Sequence, residues 1–141
     1  MQKAEIRELI PHSGTMCLLD TVIHWDDHSI LCLSETHRDP LNPLRRNGRL
    51  SALHLFEYGA QAAAIHGGLR ARRVGETAPP GYLAALRHGE LYVERVDDIR
   101  EPLQLHAKRL FGENANTVYE CEVSAGDKLL ARGRVTIILR N

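Results

Sequence analysis

Glu57 is the residue of this sequence best suited to proton-transfer chemistry. It lies between Phe56 and Tyr58 in the most apolar segment of the chain, which is rich in alanine. Because water stabilises an ionised carboxylate, burial among apolar side chains would favour its protonated form and suit Glu57 to exchanging protons near neutral pH. The alternative is that Glu57 pairs with Arg45 or Arg46, or is exposed to solvent at the start of a helix. The sequence supports this alternative as well as it supports burial.

Two polar residues lie on the same predicted helical face as Glu57. Gln61 follows it by one turn and could orient the carboxylate or contact a second subunit. His54 precedes it by three residues and could hydrogen-bond to it. Each also has an ordinary explanation, since an isolated glutamine on a helix, or a histidine near a helix start, often has no special role. Both remain candidates for binding substrate.

Two groups of arginines flank this segment. One precedes it, at Arg45, Arg46 and Arg49, and the other ends it, at Arg70, Arg72 and Arg73. Cationic side chains at a helix C-terminus usually complement the helix dipole, and this is the simpler explanation of the second group. The same guanidinium groups could hold a phosphate or an acidic carrier protein through charge-assisted hydrogen bonds. The second group is the better candidate because it lies on a folded element.

Motifs of the common cofactor and metal enzymes are absent from the sequence. It contains no glycine-rich nucleotide loop, no GxSxG nucleophile motif and no HExxH zinc motif. Its 8 histidines are scattered, and its 3 cysteines form no CxxC pair. We therefore expect no metal site and no cofactor. The odd number of cysteines and the absence of a signal-like apolar start favour a reducing, cytoplasmic compartment.

Length and charge bound the class of protein. The 141 residues are enough for one domain, over residues 1–141, with a real hydrophobic core. Basic and acidic residues balance at 18 each, so the chain lacks the basic excess that binds nucleic acid or an anionic membrane. No stretch approaches the roughly 18 apolar residues of a membrane span.

One long helix is predicted over residues 52–73, with Ser51 in the N-cap position. Apolar residues surround nearly its whole circumference, which is typical of a buried helix, and its glycines and alanines allow other backbone to come close. A loop over residues 38–49 precedes it, where prolines and a glycine prevent a regular element. A short helix is predicted over residues 2–9.

The other segments alternate as strands do, over residues 17–25, 29–37, 82–93, 103–111, 117–124 and 128–139. Turn residues at 26–28, 113–116 and 125–127 separate neighbouring strands in antiparallel hairpins. Strands, one buried helix and more strands predict an α+β fold, with an antiparallel sheet wrapped around the central helix.

Two segments resemble the hotdog-fold family of (3R)-hydroxyacyl carrier-protein dehydratases. The run Ile10–Val22, IPHSGTMCLLDTV, is similar to that family's opening, and Phe56–Ala62, FEYGAQA, to the start of its central helix. The order of the remaining strands matches too. The run from Asn42 to Gln61 is most similar to the dehydratase-like proteins of aryl-polyene pigment clusters.

The resemblance implies a reaction and a set of site residues. The family removes water from a 3-hydroxyacyl thioester on acyl carrier protein, in type II fatty-acid or aryl-polyene synthesis, and leaves a trans-2-enoyl thioester. Glu57 matches the family's catalytic glutamate, whereas Asn42 stands where the family has its catalytic histidine. An amide takes up no proton near neutral pH. The backbone N–H of Ala52 or Leu53 is implied as the donor to the thioester carbonyl. Arg70, Arg72 and Arg73 are implied as contacts for the carrier protein.

Several alternatives stay open on the sequence. His37, His54 or a histidine of a partner subunit could replace the family's histidine. Glu57 could instead act alone, as in the hotdog thioesterases. The chain could also be a catalytically degenerate structural partner of an active hotdog subunit. In each case the resemblance implies a homodimer or heterodimer with its edge strands paired into one sheet.

Overall fold

A six-stranded antiparallel sheet curves around one long helix. The computed structural model describes residues 1–10, 16–77, 79, 81–113 and 116–139. The short helix α1 spans Lys3–Ile6 and the long helix α2 spans Leu55–Arg73. The strands are β1 (Thr21–Trp25), β2 (Ser29–Ser34), β3 (Gly81–Leu91), β4 (Leu103–Glu113), β5 (Asn116–Ala125) and β6 (Lys128–Leu139). The sequence prediction of an α+β fold around a central helix is therefore confirmed.

The strands follow the order β1-β2-β4-β5-β6-β3, and every neighbouring pair is antiparallel. Alternate residues of each central strand point towards α2, as Val135 and Ile137 of β6 do. On β2 the inward residues are Ile30, Cys32 and Ser34, whereas Leu31 and Leu33 are half-buried on the outer face. The period-2 pattern was thus correct, but it did not determine which face of β2 is inside.

The N-terminal elements are shorter than the sequence pattern predicts. Helix α1 covers only four residues, and β1 begins at Thr21 rather than at residue 17. Leu18 donates its backbone N–H to the side chain of Gln61 on α2 instead of to a neighbouring strand. The segment before β1 is therefore held by the helix. Residues 11–15, part of the segment that carries the family resemblance, lie outside the described residues.

Helix α2 begins after a 3-10 turn, Ala52–His54, which Ser51 caps by accepting the Leu53 N–H at 3.2 Å. The predicted N-cap is confirmed. A Cβ on Gly59 would lie 3.1 Å from the Cβ of Cys121, so this glycine lets α2 approach β5 closely. No helix in the described ranges is long and apolar enough to cross a membrane.

Most of α2 is buried, but one stripe is left partly open by the sheet. The stripe consists of the half-buried residues Glu57, Ala64, Gly67 and Ala71 together with Ala60, which is itself buried, at alternating spacings of three and four residues. Such spacing keeps all five on one side of the helix. The predicted burial of the helix is correct except along this stripe and at the arginines near the helix end, and the first part of the stripe lies beside the start of β3.

The two edges of the sheet differ in how well they are protected. On β1, the Val22 N–H donates to the carbonyl of Met1, and Gln2 bridges to Thr21. Strand β3 ends the sheet on the other side, and no described strand lies beyond it. Ten of its eleven residues are exposed or half-exposed. An edge of this length and apolar character is a ready template for pairing with another strand.

Candidate active site

Glu57 lies at a cavity of about 270 Å³ between α2 and the start of β3. The helix contributes Glu57, Ala60, Gln61 and Ala64, and the strand contributes Gly81, Tyr82 and Leu83. The side chain of Glu57 is 43% exposed. Of the interpretations left open on the sequence, partial exposure at the start of the helix is the one that the structure shows, rather than burial in the apolar core. Glu57 is the only charged residue among the described residues that line this cavity.

His54 is the basic side chain in contact with Glu57 among the described residues. Its Nδ1 lies 3.5 Å from Oε1 of Glu57, and its side chain is 29% exposed. The 3-10 turn before α2 brings the imidazole over the first turn of the helix. No described arginine comes within 4 Å of the carboxylate, and Arg45 donates instead to the carbonyls of His37 and Gly48. Among the described residues the contact with His54 is therefore observed, whereas pairing of Glu57 with Arg45 or Arg46 is not.

Gln61 is buried and holds the segment before β1 against α2. Its Oε1 accepts the Leu18 N–H at 2.9 Å, and its Nε2 donates to the Met16 carbonyl at 2.7 Å. Both ends of the amide are thus committed to backbone, while the side chain still lines the cavity. Gln61 therefore shapes the wall beside Glu57, and its hydrogen bonds are made to the chain rather than to the carboxylate.

Asn42 belongs to a hydrogen-bonded network that does not line the cavity at Glu57. Its Nδ2 donates to the hydroxyl of Tyr58 at 3.0 Å and to the carbonyl of Thr36 at 2.9 Å, and its Oδ1 accepts the Leu44 N–H. Tyr58 is fully buried, and burial raises the pKa of its phenol. The structure therefore brings Glu57, His54 and Gln61 together. The hydrogen bonds of Asn42 instead hold the loop before α2 against Tyr58.

His37 is also separated from the cavity. Its ring is buried, and its Nε2 hydrogen-bonds to the carbonyl of Ile99 at 2.9 Å. Burial lowers the pKa of His37, so the neutral imidazole is favoured. Among the candidate histidines within the chain, His54 is therefore the one beside Glu57.

The backbone donors expected from Ala52 and Leu53 are already engaged. The Ala52 N–H donates to the carbonyl of Glu94 at 2.9 Å, and the Leu53 N–H to the hydroxyl of Ser51. The 3-10 turn runs directly into α2, so the next N–H groups also find partners within the turn and helix. Neither residue offers a free N–H to a thioester carbonyl here. This expectation needs correction, because the cap that starts the helix uses these donors.

The arginines at the end of α2 differ in their surroundings. Arg72 lies 3.7 Å from Glu8, and Arg73 pairs with Asp27 while its guanidinium stacks 4.2 Å above the ring of Trp25. Both are thus engaged in local contacts within the chain. Arg70 has no carboxylate within 4 Å among the described residues, and it lines a second cavity together with Arg73 and with Arg109 of β4. No sequence pattern indicated Arg109, which is 39 positions away and joins Arg70 only through the fold.

The β3 residues of the Glu57 cavity were also missed on the sequence. Tyr82 and Leu83 form part of a predicted strand, but strand alternation does not indicate what lies opposite. Their exposed fractions are 45% and 39%, large for apolar side chains of a strand. The open edge of β3 is the feature that distinguishes them, and it is visible only in the sheet order.

Solved structures with the same architecture are numerous. A chain of the dehydratase heterocomplex ApeI:P from Xenorhabdus doucetiae superimposes with a TM-score of 0.86 at 24% identity, over 96% of this chain and 91% of that one. The TT0310 protein from Thermus thermophilus matches with a TM-score of 0.61 at 17% identity, over 99% and 100% of the two chains. The PaaI protein of E. coli matches with a TM-score of 0.60 at 14% identity, over 86% and 79%. None of the curated proteins matches the chain.

At these identities the structures establish the fold alone. A long helix wrapped by a six-stranded antiparallel sheet, with these neighbours, defines a hotdog-fold protein. The sequence itself matches the family of ApeP-like dehydratases over residues 4–141. The chain therefore belongs to the ApeP-like dehydratase family.

Proposed function

We propose that this chain is a subunit of a dehydratase for 3-hydroxyacyl thioesters, with Glu57 as a proton-transfer group. The observation that carries the proposal is the position of Glu57 as the one charged residue among the described residues that line its cavity. A carboxylate at the wall of a cavity can exchange a proton with a substrate bound there. Membership of the ApeP-like dehydratase family supports the same reaction class.

The reaction needs one proton removed and one supplied. A base takes the proton from the carbon next to the thioester carbonyl, and the electron pair forms the carbon–carbon double bond. The bond from the neighbouring carbon to its hydroxyl oxygen breaks, and an acid protonates that oxygen so that it leaves as water. Glu57 and His54, 3.5 Å apart, supply one carboxylate and one imidazole for these two steps.

We further propose that the working enzyme is a dimer formed through β3, with a second hotdog subunit. One wall of the Glu57 cavity comes from β3, whose outer edge has no described partner. A strand paired there would close the cavity and exclude water from the reacting atoms. The similarity to a chain of the dehydratase heterocomplex ApeI:P supports a heteromeric partner. The substrate of this enzyme is an acyl thioester carried by acyl carrier protein.

The test follows enoyl absorbance and free thiol together, with a short 3-hydroxyacyl thioester as substrate. Wild type, Glu57→Gln, His54→Gln and Glu122→Gln are compared, each alone and mixed with a candidate hotdog partner. Glu57→Gln is nearly isosteric but exchanges no proton, so we expect enoyl formation to fall by about 10²- to 10⁴-fold. Glu122 is exposed on β5, and its variant should match wild type.

The remaining comparisons show which subunit supplies the second proton-transfer group and whether the reaction is dehydration or thioester hydrolysis. Activity of the chain alone that is lost in His54→Gln assigns the second proton-transfer step to His54. Activity only in the mixture, unaffected by His54→Gln, assigns that step to the partner subunit. Release of free thiol without enoyl product would overturn the proposal in favour of a thioesterase. Enoyl formation that survives in Glu57→Gln would remove Glu57 from the mechanism.

A further inference from the structure

A second cavity, of about 560 Å³, lies at the other end of α2 and is rich in arginine. The C-terminal half of α2 forms one side, and residues of β4, β5 and β6 form the other. Three guanidinium groups line it, those of Arg70, Arg73 and Arg109, with the carboxylates of Asp27 and Glu76. The hydroxyl-bearing residues Thr117 and Tyr119 lie on the strand side.

The three arginines are not equivalent. Arg73 is neutralised by Asp27 and held over Trp25. Within the described part of the chain, no carboxylate comes within 4 Å of the guanidinium of Arg70 or Arg109. The Nε of Arg70 is moreover shielded from solvent without a hydrogen-bond partner among those residues. A partly desolvated cation without a counter-ion is unfavourable, and an incoming anion would compensate it.

The guanidinium of Arg109 lies close to Gly112, three positions further along the same strand. A Cβ on Gly112 would collide with the end of the Arg109 guanidinium and lie 3.1 Å from Oγ1 of Thr117. The guanidinium thus lies across the glycine, beside the threonine hydroxyl. Two guanidinium groups and a hydroxyl around one cavity provide donors of the kind that phosphate oxygens accept.

The two cavities lie along the same open stripe of α2. Glu57, Ala60 and Ala64 line the first, and Gly67 and Ala71 line the second. Between them, Gly81 of the first cavity pairs in register with Leu139 of the second. From Glu57 to Arg70 the helix rises about 20 Å, at roughly 1.5 Å per residue. A flexible extended arm could therefore present one end to the carboxylate and the other to the arginines.

We propose that Arg70 and Arg109 bind the phosphate of a phosphopantetheine arm whose thioester lies at Glu57. This inference rests on the proposed function for the identity of the ligand. The phosphate contact itself depends only on the two guanidinium groups. It assigns Arg109 to the site and separates Arg70 from Arg72 and Arg73, whose charges are compensated within the chain.

The test measures equilibrium binding of 4′-phosphopantetheine and of pantetheine to the full-length chain by calorimetry, without turnover. Wild type should bind the phosphorylated compound more tightly than the one without phosphate. Arg70→Gln and Arg109→Gln should each weaken binding of phosphopantetheine on the order of tenfold and leave pantetheine unchanged. The matched control is Arg72→Gln, which removes an arginine of the same helix end and should bind like wild type. Because calorimetry involves no turnover, a failure of the proposed chemistry would leave this binding unchanged and is therefore distinguishable from a failure of this site.

The phosphopantetheine could be part of coenzyme A or could be attached to a carrier protein. The same binding measurements with coenzyme A and with phosphopantetheinylated carrier protein as probes distinguish these two sources. Weakening by Arg70→Gln and Arg109→Gln for the carrier protein alone identifies a protein-borne arm. Weakening for both probes identifies the shared phosphate. Equal affinity of wild type for phosphopantetheine and pantetheine would overturn the proposal. An effect of Arg72→Gln as large as that of Arg70→Gln would also overturn it, since it would indicate only a general attraction by positive charge.

Discussion

At the scale of single residues, Asn42 is held in a hydrogen-bonded network that lies apart from the cavity at Glu57. Its amide makes three hydrogen bonds, to Thr36, Tyr58 and Leu44. An amide can do this because it carries both donors and an acceptor on one small group. Asn42 therefore holds its loop against α2, and residues other than Asn42 must carry out any proton transfer.

Replacing Asn42 by histidine should consequently not increase enoyl formation. An imidazole can replace only part of the three hydrogen bonds, so Asn42→His should lower the free energy of unfolding by about 1–3 kcal/mol and leave enoyl formation no higher than wild type. Urea denaturation and the enoyl assay measure the two effects. The control is Leu41→His, because Leu41 is 78% exposed on the same loop and its replacement should change stability by less than about 0.5 kcal/mol. A clear rise in activity of Asn42→His would show that position 42 reaches the substrate.

His66 predicts how stability depends on pH. It is fully buried on α2, with Nε2 at 2.6 Å from the carbonyl of Asp26 and Nδ1 at 2.7 Å from the hydroxyl of Tyr119. Because a carbonyl can only accept, the neutral ring carries its proton on Nε2 and accepts from the tyrosine. Burial lowers the pKa of His66 from the ordinary value of 6.5, so below that pH the unfolded chain binds a proton that the folded chain does not.

The free energy of unfolding should therefore fall as the pH drops below about 6.5, by up to about 1.4 kcal/mol per pH unit for each such histidine. His37, whose pKa is also lowered by burial, adds to the same slope. Urea denaturation between about pH 7.5 and 5.5, on either side of the ordinary histidine pKa, measures it. We expect His66→Gln to reduce the slope, whereas His106→Gln, on the exposed face of β4, should retain it. An unchanged slope in His66→Gln would mean that His66 titrates alike in both states.

At the scale of elements, Gln61 connects the central helix to the segment before β1. The Met16 carbonyl and the Leu18 N–H have no described strand partner. Both groups hydrogen-bond to the side-chain amide of Gln61 instead. Buried backbone groups must find partners, and here a helix side chain provides them. The wall of the Glu57 cavity thus depends on a tertiary contact between two elements.

Gln61→Leu should remove this contact while keeping the side-chain volume similar. Each of the two backbone groups left without a partner should cost about 1–3 kcal/mol in the free energy of unfolding. Gln104→Leu is the matched control, because Gln104 is exposed on the outer face of β4 and its replacement should cost less than about 0.5 kcal/mol. Hydrogen exchange at Leu18 gives a second measurement, and we expect faster exchange in Gln61→Leu. Wild-type protection of the Leu18 amide in that variant would contradict the contact.

At the scale of the whole molecule, the asymmetry between the two sheet edges predicts where a second subunit binds. The N-terminal residues cover part of the β1 edge, whereas β3 is exposed along nearly its whole length. A lysine at position 84, exposed on β3, should prevent strand pairing there without disturbing the core. We expect Ala84→Lys to shift the sedimentation coefficient from dimer to monomer and to lower enoyl formation. Ile23→Lys, at a 52% exposed position of β1, should leave both unchanged. A dimer that persists in Ala84→Lys but dissociates in Ile23→Lys would place the interface on the opposite edge.

The sequence alone determined the local features of this protein. The α2 helix, the Ser51 cap of the 3-10 turn before it and most strand positions follow from residue types and spacing over a few positions. Such features depend on backbone propensity, capping and periodicity, which act between near neighbours in the chain.

Only the tertiary structure decided which residues meet. It placed Glu57 at an open cavity beside β3, committed Asn42 to Tyr58, and used the N–H groups of Ala52 and Leu53 within the chain. It also brought Arg109 to Arg70 across 39 positions of sequence. These outcomes depend on sheet order and on the side of α2 that the sheet covers. Packing between distant segments sets both, and no local pattern in the sequence encodes it.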